Sequence, residues 1–309
     1  MKTPRTALAL LVAGLTLAPA ATYAQAGDSL RRDLAIQMAL EREGFSPGVL
    51  DGKSGAKTAL AIREFQLARG LAATGQADAA TLDALKADPA GALTGYTVTA
   101  DDFSQVGPVP RSWTDKAKAS RLPYPSLDEM LAEKFHCTLS TLAAFNPGRD
   151  IASLKVGDQI AVPNLPAPKA LGPVARLEIN VSQKTIRLID AGGKTCGLLH
   201  CSVARLDKDL PRGKTSVTVI TNEPTYRFDP AKWPEVKGVT HTLIIPPGPR
   251  NPVGLCWIGL GLPGYGIHGS PNPELIGKTG SHGCIRLTNW DAVRLGKTVT
   301  VGTAVTFTG

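Results

Sequence analysis

The sequence predicts three units of different texture: a small three-helix domain, a small α+β module, and a mainly β C-terminal domain carrying one short helix. Three observations predict this. Apolar residues recur at helical spacing between Leu34 and Leu85, punctuated by glycines. A strand, two helices and a strand read off between Tyr96 and Pro163. Past a proline-rich stretch, short runs that alternate apolar and polar residues begin at Ala175. With 309 residues, 43% of them hydrophobic, the chain can build more than one core.

The first residues precede all of this and read as a secretory signal, residues 1–26. Lys2 and Arg5 supply the charge, Ala7 to Leu17 form the apolar run, and Ala24-Gln25-Ala26 offers a cleavage site of small residues. The run is too short to span a bilayer comfortably, so cleavage is expected and no stable membrane anchor should remain. An uncleaved anchor is the alternative. The net charge of +8 favours anionic partners. Its lysines and arginines are scattered, without a basic tract or interleaved aromatics, so nucleic acid is not expected as a partner.

Residues 27–90 hold the three helices. Leu34 with Met38, and Ile36 with Leu40, stand one turn apart, and Gly44 stops the first helix. Gly55 precedes the second, with Ala59, Ile62, Phe65 and Gln66 at helical spacing, and Asp78 is placed to cap the third. The order of these glycines, Asp51-Gly52, Phe65-Gln66 and the final Leu82 and Leu85 resembles the three-helix peptidoglycan-binding domain.

Residues 95–165 change character. Leu127, Met130, Leu131 and Phe135 follow a 3.6-residue period, Ser140 is placed to cap a second helix, and Asn146-Pro147-Gly148 ends it. His136 is read on the first of these helices as a packing residue, since no second ligand pair has zinc spacing. Asn146-Pro147 before Leu154, Gly157-Asp158, Ile160 and Val162-Pro163 resembles a LysM glycan-binding module. The departure from that pattern is the long Thr99–Pro125 insertion, for which a structural or docking role stands beside glycan binding. A semi-rigid proline linker, residues 166–174, follows.

In residues 175–309, Ala175 to Val181, Lys184 to Asp190, Leu198 to Val203 and Ser216 to Thr221 read as strands. Pro246-Pro247-Gly248-Pro249 demands a loop, and a helix is expected near Asn289–Leu295. His200 and His241 have no motif around them and read as ordinary strand or loop residues. The chemistry concentrates at Ile267-His268-Gly269-Ser270 and Ser281-His282-Gly283-Cys284-Ile285-Arg286. A free thiol ionises near ~8.5, and a neighbouring imidazole raises its thiolate fraction. Cys284 is therefore the candidate nucleophile, with His268 and His282 both candidates for the imidazole. Gly283 lets backbone approach a substrate carbonyl, where its N–H and that of Cys284 can face a developing oxyanion. Zinc ligation by His268, His282 and Cys284 lacks a helix or knuckle of ligand spacing, so neither metal nor cofactor is expected.

This pair of motifs resembles the active-site segment of the L,D-transpeptidases, cysteine enzymes that remodel bacterial peptidoglycan. Pro211-Arg212-Gly213, Asn251-Pro252-Val253-Gly254 and Trp257-Ile258-Gly259-Leu260 carry the resemblance through the whole C-terminal domain. It implies a mixed β-sandwich with a short helix, in an exported, periplasmic protein. By the same resemblance Cys284 attacks the third residue of a tetrapeptide stem and expels D-Ala, and an amine takes the acyl group. His268 is the base, Gly269 orients it through its carbonyl, and His282, Gly283 and Cys284 supply oxyanion donors. Ser281, Arg286, Tyr265 and Trp257 are the expected substrate-binding residues, Arg286 also being placed to hold the loop. The expected partners are peptidoglycan stem peptides and glycan, with a wall-attached protein as one acceptor. Transfer to water, as a thiol carboxypeptidase or amidase, and a non-catalytic wall anchor are the alternatives. The other four cysteines, Cys137, Cys196, Cys201 and Cys256, either pair or serve as small buried hydrophobes.

Overall fold

The computed structural model describes residues 27–205, 210–233, 235–280 and 283–309. The expected signal segment, Ser281 and His282 lie outside these residues. The first unit contains α1 (Asp28–Glu43), α2 (Ala56–Arg69) and α3 (Ala79–Leu85). Gly44 ends α1 in the left-handed conformation, and the Asp78 side chain accepts from the Thr81 N–H as the third cap. Ile36, Leu40, Phe45, Ile62, Phe65 and Leu85 share one core, into which Leu198 of the C-terminal domain also reaches.

The second unit runs β1 (Leu93–Thr97), α4 (Ala100–Ser104), α5 (Trp113–Lys118), α6 (Leu127–Lys134), α7 (Leu139–Phe145) and β2 (Gln159–Pro163). β1 and β2 pair antiparallel, and Leu127, Met130, Leu131, Leu142 and Ile160 fill the core beneath them. Two local readings need correction. Thr138, not Ser140, caps α7, because its hydroxyl stands three residues before the Thr141 N–H that it accepts. His136 is not on α6, which ends at Lys134. It lies in the following turn at φ 55°, with Nδ1 2.5 Å from Glu41 and its ring stacked on Trp290 at 4.7 Å. Residues 166–174 do not stand free of the first unit, since the Lys169 N–H donates to the Arg42 carbonyl at 3.0 Å.

The C-terminal domain continues with β3 (Val174–Asn180), β4 (Thr185–Asp190), β5 (Thr195–His200), β6 (Lys214–Asn222), β7 (Tyr226–Phe228), β8 (Leu243–Ile245), β9 (Cys256–Leu260), β10 (Gly266–His268), β11 (Ile285–Arg286), α8 (Asn289–Thr298) and β12 (Ala304–Thr308). Eight strands form one mixed sheet in the order β11-β10-β9-β6-β12-β3-β4-β5. The β12–β3 and β10–β11 pairs are parallel. The sheet curls until its ends meet, because Ser202, just past β5, exchanges two backbone hydrogen bonds of 2.9 Å with Arg286. The expected sandwich thus takes the form of a single sheet folded onto itself. Its interior is closed by α8, whose Ala292 and Leu295 pack among Leu177, Ile186, Ile258, Ile267 and Ile285. β7 and β8 stand apart as a separate two-stranded hairpin.

None of the five cysteines is joined in a disulfide. Cys137, Cys201 and Cys256 are buried, and burial pushes the thiols of Cys137 and Cys201 up to about 12 and that of Cys256 up to about 11. His200 is likewise buried, with Nε2 3.1 Å from the Lys57 carbonyl.

Candidate active site

The parallel pair β10–β11 builds the site. In register, Ile267 faces Ile285 and His268 faces Arg286. Side chains alternate along a strand, so Ile267 and Ile285, both fully buried, enter the core. His268, Cys284 and Arg286 take the other face, where all three line one cavity of about 830 Å³. Sequence distance is thereby cancelled: the two motifs become neighbours through a two-residue parallel bridge.

His268 is only 5% exposed and stacks on Trp257, its cross-strand partner in β9, at 5.7 Å. Its Nδ1 lies 2.7 Å from the Gly269 carbonyl oxygen. A carbonyl only accepts, so Nδ1 carries the proton and Nε2 keeps the lone pair. Burial lowers the imidazole to about 4, helped by the charge of Arg286 and opposed by the Gly269 bond. The ring is therefore neutral at pH 7. Cys284 is half-buried, with Sγ 3.5 Å from the Gly264 carbonyl oxygen. Burial raises its thiol, while a hydrogen bond from the Gly266 backbone and the charges of Arg286 and Lys232 pull it back. Burial thus shifts both groups of this cavity toward their neutral forms.

Two glycines are dictated by this geometry. Gly283 sits at φ 142°, which L side chains rarely adopt, and the Tyr265 ring packs beside it. Gly269 has no room for a side chain, since a Cβ there would lie 2.2 Å from the Asn289 Oδ1. Asn289, at the start of α8, accepts there from the Leu255 N–H at 3.1 Å and donates to Glu133 of α6 at 2.9 Å. The Asn251-Pro252-Val253-Gly254 motif is a loop tie: buried Asn251 donates to the Pro246 carbonyl at 2.8 Å and accepts from the Val253 N–H at 2.9 Å.

Of the expected substrate-binding residues, Trp257 and Arg286 line the cavity, and Tyr265 stands behind Gly283. The opposite wall was missed from sequence. It is the β7–β8 hairpin, which presents Tyr226, Arg227, Asp229, Lys232 and Trp233 to the same space. The crowding of Tyr226, Phe228 and Trp233 in one short stretch, in a chain with 5% aromatic residues, was the available signal.

Residues 175–306 match the L,D-transpeptidase catalytic domain, and residues 34–85 match the putative peptidoglycan binding domain. The putative L,D-transpeptidase YkuD of Bacillus subtilis is 30% identical over 176 residues, covering 57% of this chain and 90% of that protein. This chain belongs to the L,D-transpeptidase family. A second putative L,D-transpeptidase YkuD, from Bacillus licheniformis, is 29% identical over 180 residues, 58% of this chain and 92% of the relative. The probable L,D-transpeptidase YbiS of Escherichia coli is 32% identical over 185 residues, 58% of this chain and 59% of the relative. The L,D-transpeptidase domain thus coincides with the curled sheet that carries Cys284 and His268. Peptidoglycan, the polymer named by the N-terminal match, is the substrate that the two domains together imply.

Proposed function

We propose that this L,D-transpeptidase is exported and acts in the periplasm, where Cys284 is acylated by a peptidoglycan tetrapeptide stem, releases D-Ala and passes the acyl group to an amine. The observation that carries the reading is the convergence of Cys284, His268 and Arg286 on one cavity, with the Nδ1 proton of His268 committed to Gly269. Nε2 takes the thiol proton as sulfur attacks the carbonyl carbon of the third stem residue. Burial favours the neutral form of each group, which supports a transfer that accompanies the attack. The carbonyl oxygen becomes an oxyanion, for which the backbone N–H groups of Gly283 and Cys284, with that of His282, are the proposed donors. One such donor is worth ~10²–10³ in rate. Collapse breaks the C–N bond, and His268 returns its proton to the departing D-Ala nitrogen. The thioester is then attacked by an amine, which yields its proton through His268 while the thiol is restored.

Arg286 and Lys232 are the cations proposed to meet a stem carboxylate. Trp257 fixes the imidazole plane, and Ser281 and Tyr265 are proposed contacts flanking the nucleophile. The first three helices hold the polymer, and the strand–helix–helix–strand unit is read as a LysM-like module. Incubating the protein with a tetrapeptide stem, with and without an amine acceptor, tests this by product mass. Release of D-Ala with an acyl-amine product is expected. Release without that product would replace the amine by water, and no release at all, matching Cys284→Ala, would refute the reading.

A further inference from the structure

Among the described residues, the β7–β8 hairpin that lines the cavity with Cys284 has no further sheet neighbour, so something else must hold it in place. That support comes from residues 99–125, the insertion that separates β1 from α6 in the second unit. Trp113, the first residue of α5, stacks on Phe228 of β7 with ring centroids 4.1 Å apart and planes 18° apart. The same indole lies 6.2 Å from the Tyr226 ring and 6.5 Å from the Trp233 ring. Leu122, fully buried, completes a small separate core with Phe228, Leu243 and Ile245. Its N–H donates to the Pro247 carbonyl at 2.8 Å, so the insertion and the end of the hairpin are also tied through backbone. Trp233 in turn hydrogen-bonds Tyr226, and both side chains line the cavity with Lys232 and Cys284.

We propose that Trp113 is a positioning residue for the transfer reaction: through Phe228 and Trp233 it fixes the cleft wall, and with it Lys232, against a carboxylate-bearing peptide stem. Trp113 does not touch the reacting atoms. An insertion in one unit thereby shapes the substrate cleft of another, and this accounts for its length between a strand and a helix that otherwise need only a short connection. The inference rests on the proposed use of the cavity by a peptide stem.

The test compares the full-length Trp113→Ala and Trp113→Phe variants by three measurements. Amide hydrogen exchange of residues 226–245 should accelerate at least tenfold in the alanine variant, with residues 266–268 and 285–286 unchanged. KM for the tetrapeptide stem should rise about tenfold or more, with kcat reduced less, and the phenylalanine variant should recover most of the loss. Alkylation of Cys284 by iodoacetamide should become faster, since the wall no longer shields the thiol. Unchanged exchange across 226–245, or an unchanged KM in a folded alanine variant, overturns the proposal. Should the native protein turn over no tetrapeptide, the reading of the reaction fails separately, and exchange with alkylation still decides the role of Trp113. Trp113→Leu replaces the alanine variant if that variant does not fold.

Discussion

Replacing Gly269 by alanine tests the machinery behind the imidazole. The added Cβ would sit 2.2 Å from the Asn289 Oδ1, 3.2 Å from the Leu255 nitrogen and 3.3 Å from the Asn289 Cα. Asn289 cannot swing aside cheaply. It is 1% exposed, and its amide holds the Leu255 N–H and Glu133 at once. Overpacking at such a site costs about 1–3 kcal/mol, and a bond broken to relieve it leaves a buried partner unsatisfied at about 1–3 kcal/mol. If the backbone yields instead, the Gly269 carbonyl moves and the His268 ring turns with it, and a misplacement of ~1 Å costs up to ~10² in rate. The assay pairs urea unfolding with the rate of Cys284 acylation for Gly269→Ala, Asn289→Ala and the double variant. The expected result is a loss of about 2 kcal/mol in Gly269→Ala and a fall of tenfold or more in acylation. The alanine should cost clearly less once Asn289 has been trimmed, a coupling of about 1 kcal/mol. Additive losses, or a Gly269→Ala variant that acylates at the native rate, would refute the account.

Other outcomes follow from the charges at the site. Since burial holds His268 neutral down to about 4, acylation should keep its neutral-pH rate through pH 6 and fall only as pH nears about 4. His268→Ala should lose most neutral-pH rate and recover part of it in alkali as the thiol ionises, and a native acid limb centred near the ordinary histidine value of ~6.5 would contradict the buried neutral ring. Lys232→Gln should raise KM for a tetrapeptide stem several-fold and shift Cys284 ionisation upward, because the lysine charge lowers that thiol. Lys232 is exposed, so both effects should shrink in high salt, and a salt-independent change would point to lost packing instead.

What the sequence made legible was local. Ser281 to Arg286 and His268-Gly269 carry their motifs within a few residues, so a candidate nucleophile, a candidate base and the glycine frame could be read directly. The alternation of Ala175 to Asp190 likewise sufficed for β3 and β4. The cleft wall could not be read in this way. β7 and β8 are three residues each, too short for a periodic signal, and their pairing of Tyr226 with Ile245 spans a long connection, not a tight hairpin turn. Trp113 is further still from Phe228 in sequence, and an isolated tryptophan on a six-residue helix announces no partner. The choice between His268 and His282 rested on resemblance. For His268 the structure adds the tautomer, which no sequence encodes. Thr138 took the cap expected of Ser140 because the helix begins two residues earlier than its apolar pattern indicated.

The meeting of Ser202 with Arg286 bears on how a peptide can be recognised. Many proteins hold an extended peptide by letting it join a sheet as an extra strand, so that main-chain bonds supply affinity for almost any sequence. That route is closed beside Cys284. β10 occupies one side of β11, and Ser202 fills both backbone bonds of Arg286 on the other. Among the described residues, an extended chain reaching the thiol finds no free edge on β11 itself. What remains around the cavity is a set of side chains, among them Arg286, Lys232 and the aromatic wall. A strand filled on both sides leaves contact beside Cys284 to charge and shape.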